Sequence, residues 1–279
     1  MTDGVMYIAS GEQYLSEAEY SARSVREQMP NLNIALVTDH RDIEANLFDD
    51  ILDLTETYPD SGVSTLRPGL SPYDRTLFLD TDTFVTEPIP ELFDILGDHD
   101  MAFTQSPGRL AVPGLPDPWI EFNTGVISYK TSTATEQFFE RWLDTYQNML
   151  SEDGIDRNQP SFAHAVAESD VDYFLLPREY NCRVPRFGYL AHEAKVVHGR
   201  DTVPLADIAT RLNENPDRRV HWPKIRRNLV ADLQLVHESD IEHRPLHIAF
   251  RFKRSVQRDG LRHALRESYR ELSRIAGRL

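Results

Sequence analysis

The sequence predicts an α/β fold: a mixed, mainly parallel sheet flanked by helices, followed by a helical extension. Three observations predict it. Short apolar runs alternate with amphipathic stretches through the first 200 residues. One of those runs, Thr76-Leu77-Phe78-Leu79, ends in the paired carboxylates of Asp80-Thr81-Asp82. The composition then turns from acidic to basic after residue 200. Strand and helix patterns in alternation point to βαβ units, which lay parallel strands side by side with helices on both faces.

Taken in order, residues 4–9 read as a first strand. Residues 16–29 read as a helix, with Ser16 as N-cap, Glu19 completing a capping box and Pro30 as the stop. Residues 33–38 form a second strand closing at Asp39, and 51–54 a short third. The strand at 77–80 follows, then a helix over 89–96 with Pro88 and Pro90 near its start. Strands are expected at 101–104 and 125–129, helices at 135–149 and 159–167, and last strands at 173–176 and 195–197. The irregular stretch 106–119 carries four prolines and reads as a loop over the site. Ligands of such sheets collect at the carboxyl ends of the strands.

The 279 residues allow one large domain with an appendage. The expected division is 1–200 for a nucleotide-sugar-type catalytic domain, argued below, and 201–279 for a helical extension. In the extension Arg258, Arg262, Arg266, Arg270, Arg274 and Arg278 recur every four residues beside a stripe of Leu261, Leu265, Leu272, Ile275 and Leu279. This is the pattern of a basic amphipathic helix, suited to an anionic membrane surface or to docking on the acidic body. No apolar run approaches the roughly 20 residues that span a bilayer. Met1-Thr2-Asp3-Gly4 carries no basic n-region, so no signal peptide is expected. A single cysteine, Cys182, excludes an intramolecular disulfide and a Cys-rich zinc site. The expected location is cytoplasmic, with peripheral contact at the inner membrane face through the tail.

The net charge is −15, and it is unevenly placed: −20 over residues 1–200 and +5 over 201–279. Only four of the 30 basic residues are lysines. An acidic, Lys-poor chain predicts a halophilic surface, and its acidic body argues against nucleic-acid binding.

The chemistry centres on Asp80 and Asp82. Period-two alternation sends both side chains the same way and Thr81 the other. Two carboxylates half-buried together repel, and a hard divalent cation resolves that cost. Companions follow at other predicted strand ends. Glu121-Phe122-Asn123-Thr124-Gly125 places an amide and a glycine at the mouth of a strand, where a ligand can approach the backbone. Asn158-Gln159-Pro160 precedes a helix, where Asn158 also suits an N-cap. Lys195-Val196-Val197-His198-Gly199-Arg200 ends in an imidazole that suits Mn²⁺-like ions and a Gly-Arg that suits phosphate. Glu121 and Asp156 are candidate bases.

These pieces, in this order, resemble the GT-A nucleotide-diphospho-sugar glycosyltransferases of the family 8 type. The resemblance runs through 71–83, 122–126, 158–160, Leu176-Pro177-Arg178-Glu179-Tyr180-Asn181 and 197–200, and covers roughly residues 4–200. It implies a Rossmann-like GT-A sheet and transfer of a sugar from a nucleotide-diphosphate donor, UDP-sugar in type, to a hydroxyl of a glycan, lipid-linked or protein acceptor, with retention. It implies Mn²⁺ or Mg²⁺ on Asp80, Asp82 and His198. It places Ala9, Ser10 and Asp39 at the nucleoside, with Arg67, Thr81, Gly199 and Arg200 as further donor contacts. Asn123, Asn158 and Gln159 would face the donor sugar. Asn158 stands where the family carries an Asp, and Ser64 where it carries a Lys. A haloacid-dehalogenase-like phosphatase, whose nucleophile motif is also Asp-x-Asp, and a non-catalytic sugar-nucleotide binder are the alternative readings.

Overall fold

In the computed structural model, the described residues are 1–40, 43, 46–54, 71–106, 112–186 and 188–214, with the backbone of 219–225 and 231–236. Arg67, Ser64, residues 107–111 of the long loop and the arginine-striped tail lie outside the described residues.

A seven-stranded sheet organises the chain. Its strands are β1 (Asp3–Ala9), β2 (Asn33–Thr38), β3 (Asp50–Asp53), β4 (Arg75–Leu79), β6 (Met101–Gln105), β7 (Phe122–Lys130) and β8 (Tyr173–Leu176), while β5 (Thr83–Val85) leaves it for a smaller sheet. The order is β3-β2-β1-β4-β7-β6-β8. All neighbouring pairs are parallel except those of β7, which runs antiparallel to both β4 and β6. The reversal of β7 puts its first residues, Phe122 to Gly125, at the carboxyl edge of the parallel strands. The expected strand at 125–129 therefore starts three residues early, and Asn123 and Gly125 lie inside a strand rather than at its mouth.

Alternation along the strands divides the core. Val5, Tyr7 and Ala9 face one side with Ile34, Leu36, Leu77 and Leu79, where Leu15, Ala18, Ala22 and Val25 of α1 (Glu12–Gln28) cover them. Met6, Ile8, Ala35, Val37 and Phe78 face the other. There they meet Phe138, Phe139, Trp142 and Tyr146 of α3 (Thr133–Asp153) and Phe162 of α4 (Asn158–Glu168). Phe162 packs edge-on against Trp142, with ring centroids 4.7 Å apart, and against Phe103 at 4.9 Å. Burying large aromatic rings on one face and small and aliphatic residues on the other gives a three-layer α/β sandwich.

Helix ends differ from the expectation in instructive ways. α1 starts at Glu12, four residues before the capping-box signature, because Gly11 adopts φ 88° and turns the chain directly off β1. Ser16 and Glu19 are helix interior. The helix expected over 89–96 is shorter, α2 (Glu91–Asp94), and tightens into a 3₁₀ turn at Ile95–Gly97. α3 has the capping box that α1 lacks, built by Ser132 and Thr135, and ends on Gly154 in the left-handed region. Arg157 stands at the N-cap position of α4 without a side-chain cap bond, so Asn158 is the helix's first residue and not its N-cap.

A second, three-stranded sheet is built from β5, β9 (Cys182–Arg183) and β11 (Val196–His198), in the order β5-β11-β9. It packs through Val184, Leu190 and Val197 on α5 (Leu205–Asn213), whose Ile208 and Leu212 are buried in the same cluster. After α5 come β12 (Arg219–Ile225) and β13 (Ala231–Val236), paired antiparallel and added to β10 (Gly188–Leu190). Within the extension expected after residue 200, the described residues hold this β-ribbon as well as the helix α5.

Candidate metal centre

The order in which strands are added to the first sheet reverses between β1 and β4: β2 and β3 lie on one side, β4 and its neighbours on the other. Ligands of α/β sheets bind at such a switch point, outside the carboxyl ends of the strands, here those of β1 and β4. Ala9, Ser10 and Asp80 stand at those ends.

β5 brings the metal candidates together. The chain leaves β4, turns through Asp80-Thr81-Asp82 and enters β5, which pairs antiparallel with β11 so that Thr83 lies opposite His198. The Asp80 backbone N–H donates to the Gly125 carbonyl at 2.8 Å, and the Gly199 N–H donates to the Asp82 carbonyl at 2.9 Å. His198 Nε2 then sits 3.3 Å from Asp80 Oδ2 and 3.3 Å from Asp82 Oδ1. All three ligand atoms lie within 4.8 Å of one another, and among the described residues this is the cluster that fits a metal ion. Two carboxylate oxygens and an imidazole nitrogen form a donor set suited to Mn²⁺ or Mg²⁺.

The tautomer of His198 follows from a buried relay. The Gly125 backbone N–H donates to Asn123 Oδ1 at 3.1 Å, which fixes that atom as an acceptor. Asn181 Nδ2 donates to the same oxygen at 2.7 Å, so Asn181 turns its own Oδ1 the other way. That oxygen lies 2.8 Å from His198 Nδ1 and accepts its proton. Nε2 is left with a lone pair directed at the carboxylates. Asn123, Asn181 and His198 are all buried, at 2%, 4% and 0% exposure, so the relay is shielded from water. Asn123 is a positioning group in this relay. Gly125 makes room for it all: a Cβ there would lie 2.0 Å from His198 Cε1 and 2.6 Å from Asp80 Oδ2.

Charge is matched around Asp82. Burial pushes its carboxyl up, and the nearby charges of Arg200 and Arg183 pull it down. Arg200 reaches within 3.6 Å of Asp82 Oδ2 while its fork grips Glu17 of α1 at 2.8 and 2.7 Å. Glu17 also accepts from Thr81 at 3.0 Å.

No protein-family model matches the sequence, and no curated protein aligns with it. Solved structures do match. The galactosyltransferase LgtC, in complex with donor and acceptor sugar analogues, superposes with a TM-score of 0.54 at 14% identity, over 75% of this chain and 94% of LgtC. The glycosyltransferase GlyE of Streptococcus pneumoniae TIGR4 superposes with a TM-score of 0.53 at 17% identity, over 76% of this chain and 60% of GlyE. The fold is GT-A.

Within this GT-A fold the remaining expected residues fall into two groups. Ser10 and Asp39 are brought together, Ser10 Oγ donating to Asp39 Oδ2 at 2.8 Å beside the Gly11 N–H at 3.3 Å. Burial raises the Asp39 carboxyl, and these two donors more than offset it, leaving a carboxylate at the end of β2. Ala9 contributes backbone only, since its side chain is buried in the α1-facing core. Asn158 and Gln159 open α4, half-buried, next to β7; the Asn158 carbonyl accepts from Trp142 Nε1 at 3.1 Å. Other expected residues have partners within the chain. The Thr81 hydroxyl is spent on Glu17, and the Gly199 N–H on Asp82. Gly199 serves the backbone, with φ 121° and no room for a Cβ against Pro185. Glu121 is fully buried and held bidentate by Arg157 at 2.9 and 3.1 Å, which removes it as a base. Asn181, Arg183 and Glu17 were not picked out by residue type; Asn181 stood only at the end of the 176–181 motif.

Proposed function

We propose that this chain is a divalent-metal-dependent glycosyltransferase that moves a sugar from a nucleotide-diphosphate donor, UDP-sugar in type, to an acceptor hydroxyl with retention of configuration. The observation that carries the reading is the convergence of Asp80, Asp82 and the Nε2 lone pair of His198 at the switch point of a GT-A sheet. Bound there, Mn²⁺ or Mg²⁺ would neutralise charge developing on the outgoing diphosphate. The chain's own residues do the rest. Asp80 and Asp82 supply hard oxygens from a turn whose backbone is pinned to Gly125 and Gly199. Asn123 and Asn181 keep His198 in the tautomer that can ligate. Ser10 and Asp39 offer polar groups to a nucleoside at the ends of the first two strands, and Asn158 and Gln159 line the sugar side from the start of α4.

The test is binding of UDP to the full chain by calorimetry with Mn²⁺ and with EDTA. Affinity is expected only with the ion, and Asp82→Asn should abolish it while leaving the thermal melt cooperative. Equal affinity in EDTA overturns the reading. Incubation with a nucleotide-sugar separates it from the phosphatase alternative: a transferase releases the nucleoside diphosphate, a phosphatase inorganic phosphate.

A further inference from the structure

One cation already stands at the donor set. β9 pairs in parallel with β11 so that Arg183 lies opposite His198. Arg183 Nη1 is 2.5 Å from His198 Nε2 and, as guanidinium has no acceptor, it donates. The proton of Nδ1 is committed to Asn181, so Nε2 carries the imidazole's one lone pair. A single lone pair holds a single partner. The Arg183 hydrogen bond and ligation of an ion by His198 therefore exclude each other.

Arg183 is half-buried, and its Nη1 reaches into the fully buried His198. Once separated from His198 it needs another acceptor, because unpaired buried N–H groups are costly. The two carboxylates would then be engaged by the ion. A diphosphate brings the oxygens that match the planar fork of an arginine. Arg200, the arginine the sequence suggests for phosphate, is committed to Glu17 by two hydrogen bonds of 2.8 and 2.7 Å.

We propose that Arg183 is the resident cation of this centre: it holds His198 Nε2 until a divalent ion enters, then pairs with the diphosphate of the donor. Ion and diphosphate consequently bind with positive coupling. The inference rests on the metal-dependent reading above and deepens it by assigning a diphosphate contact outside the Asp80–Asp82–His198 set.

The experiment measures Mn²⁺ binding to the full chain by the paramagnetic resonance of free ion, with and without UDP. Arg183→Gln should bind Mn²⁺ alone about tenfold more tightly than the parent, the factor that one charge-assisted hydrogen bond represents. It should also lose most of the tightening that UDP gives the parent. Arg183→Met, which keeps the apolar stem, repeats the measurement, with thermal melting as the check on folding. Unchanged or weaker binding of Mn²⁺ alone by the folded variants overturns the proposal and leaves the metal centre standing. Tightening by UDP retained in them overturns the diphosphate contact. If neither parent nor variants bind Mn²⁺, the metal reading and the proposal fall together.

Discussion

Asn181 illustrates how a single amide fixes the chemistry of a ligand it never shares. Its oxygen accepts from His198 Nδ1 and its nitrogen donates to Asn123, so it transmits the direction of one backbone N–H to the imidazole. Replacing it by Ala leaves His198 free to carry its proton on Nε2, where it would face the carboxylates as a donor. Asn181→Ala is expected to weaken Mn²⁺ binding by about 10–100-fold, the usual cost of losing a partner that orients a metal ligand. A titration showing unchanged affinity would remove the relay from the account. Gly125 tests the same centre sterically. A Cβ would meet His198 and Asp80 well inside contact distance, at 2.0 and 2.6 Å, on a backbone whose carbonyl is bonded to the Asp80 N–H. Gly125→Ala should lose Mn²⁺ binding and cost about 1–3 kcal/mol of stability through overpacking, measured by denaturant unfolding. Retention of both would show that β7 can shift. These roles were hard to read from the chain: Asn123 and Gly125 stood out as polar and small residues near a strand, but only burial and partners show that they orient His198 and make room for it.

Elements show where local signals compete. The capping box read at Ser16 and Glu19 is real as a pattern, yet the helix starts at Gly11 because a glycine with positive φ lets the chain turn at the strand's end, and Tyr7, Ala18 and Ala22 must pack without a gap. At α3 the sequence carries a cap that the structure uses: the Ser132 side chain accepts from the Thr135 N–H, and Thr135 returns the bond. Ser132→Ala is expected to lower stability by about 1 kcal/mol. A Thr135→Ser control keeps a hydroxyl and should lose less; equal losses in thermal melts would mean that the cap bond is not what matters. The strands at 33–38 and 173–176 were legible to the residue, since each is a short apolar run bounded by polar turns. β9 was not legible. Two residues, Cys182 and Arg183, give no periodicity, and they form a strand only because β11 offers its edge.

At the scale of the whole molecule, the question is how the small sheet is held against the large one. Glu91 of α2 is one tie: it accepts from the Tyr180 hydroxyl at 2.6 Å and pairs with Lys195 at 3.2 Å, next to β11. Burial raises its carboxyl, but Tyr180 and Lys195 outweigh burial and leave it below 4.5. A depressed carboxyl stabilises the fold above the ordinary glutamate value and loses that contribution as pH falls through the depressed one. The melting temperature of the parent should therefore exceed that of Glu91→Gln at neutral pH, and the gap should close as pH falls below 4.5. A gap that stays constant into acid would assign the difference to packing. The sequence by itself determined the α/β class, the buried strands and the two aspartates at the end of β4, because hydrophobic period and a carboxylate pair are local properties of the chain. Only the tertiary structure decided which residues complete the site. His198 comes from 116 positions beyond Asp82, Arg183 and Asn181 arrive beside it through pairing of β5, β11 and β9, and Thr81, Gly199 and Glu121 are taken up by internal partners. Pairing across that separation depends on which strand edges are left open once the core is buried, and no local pattern records it.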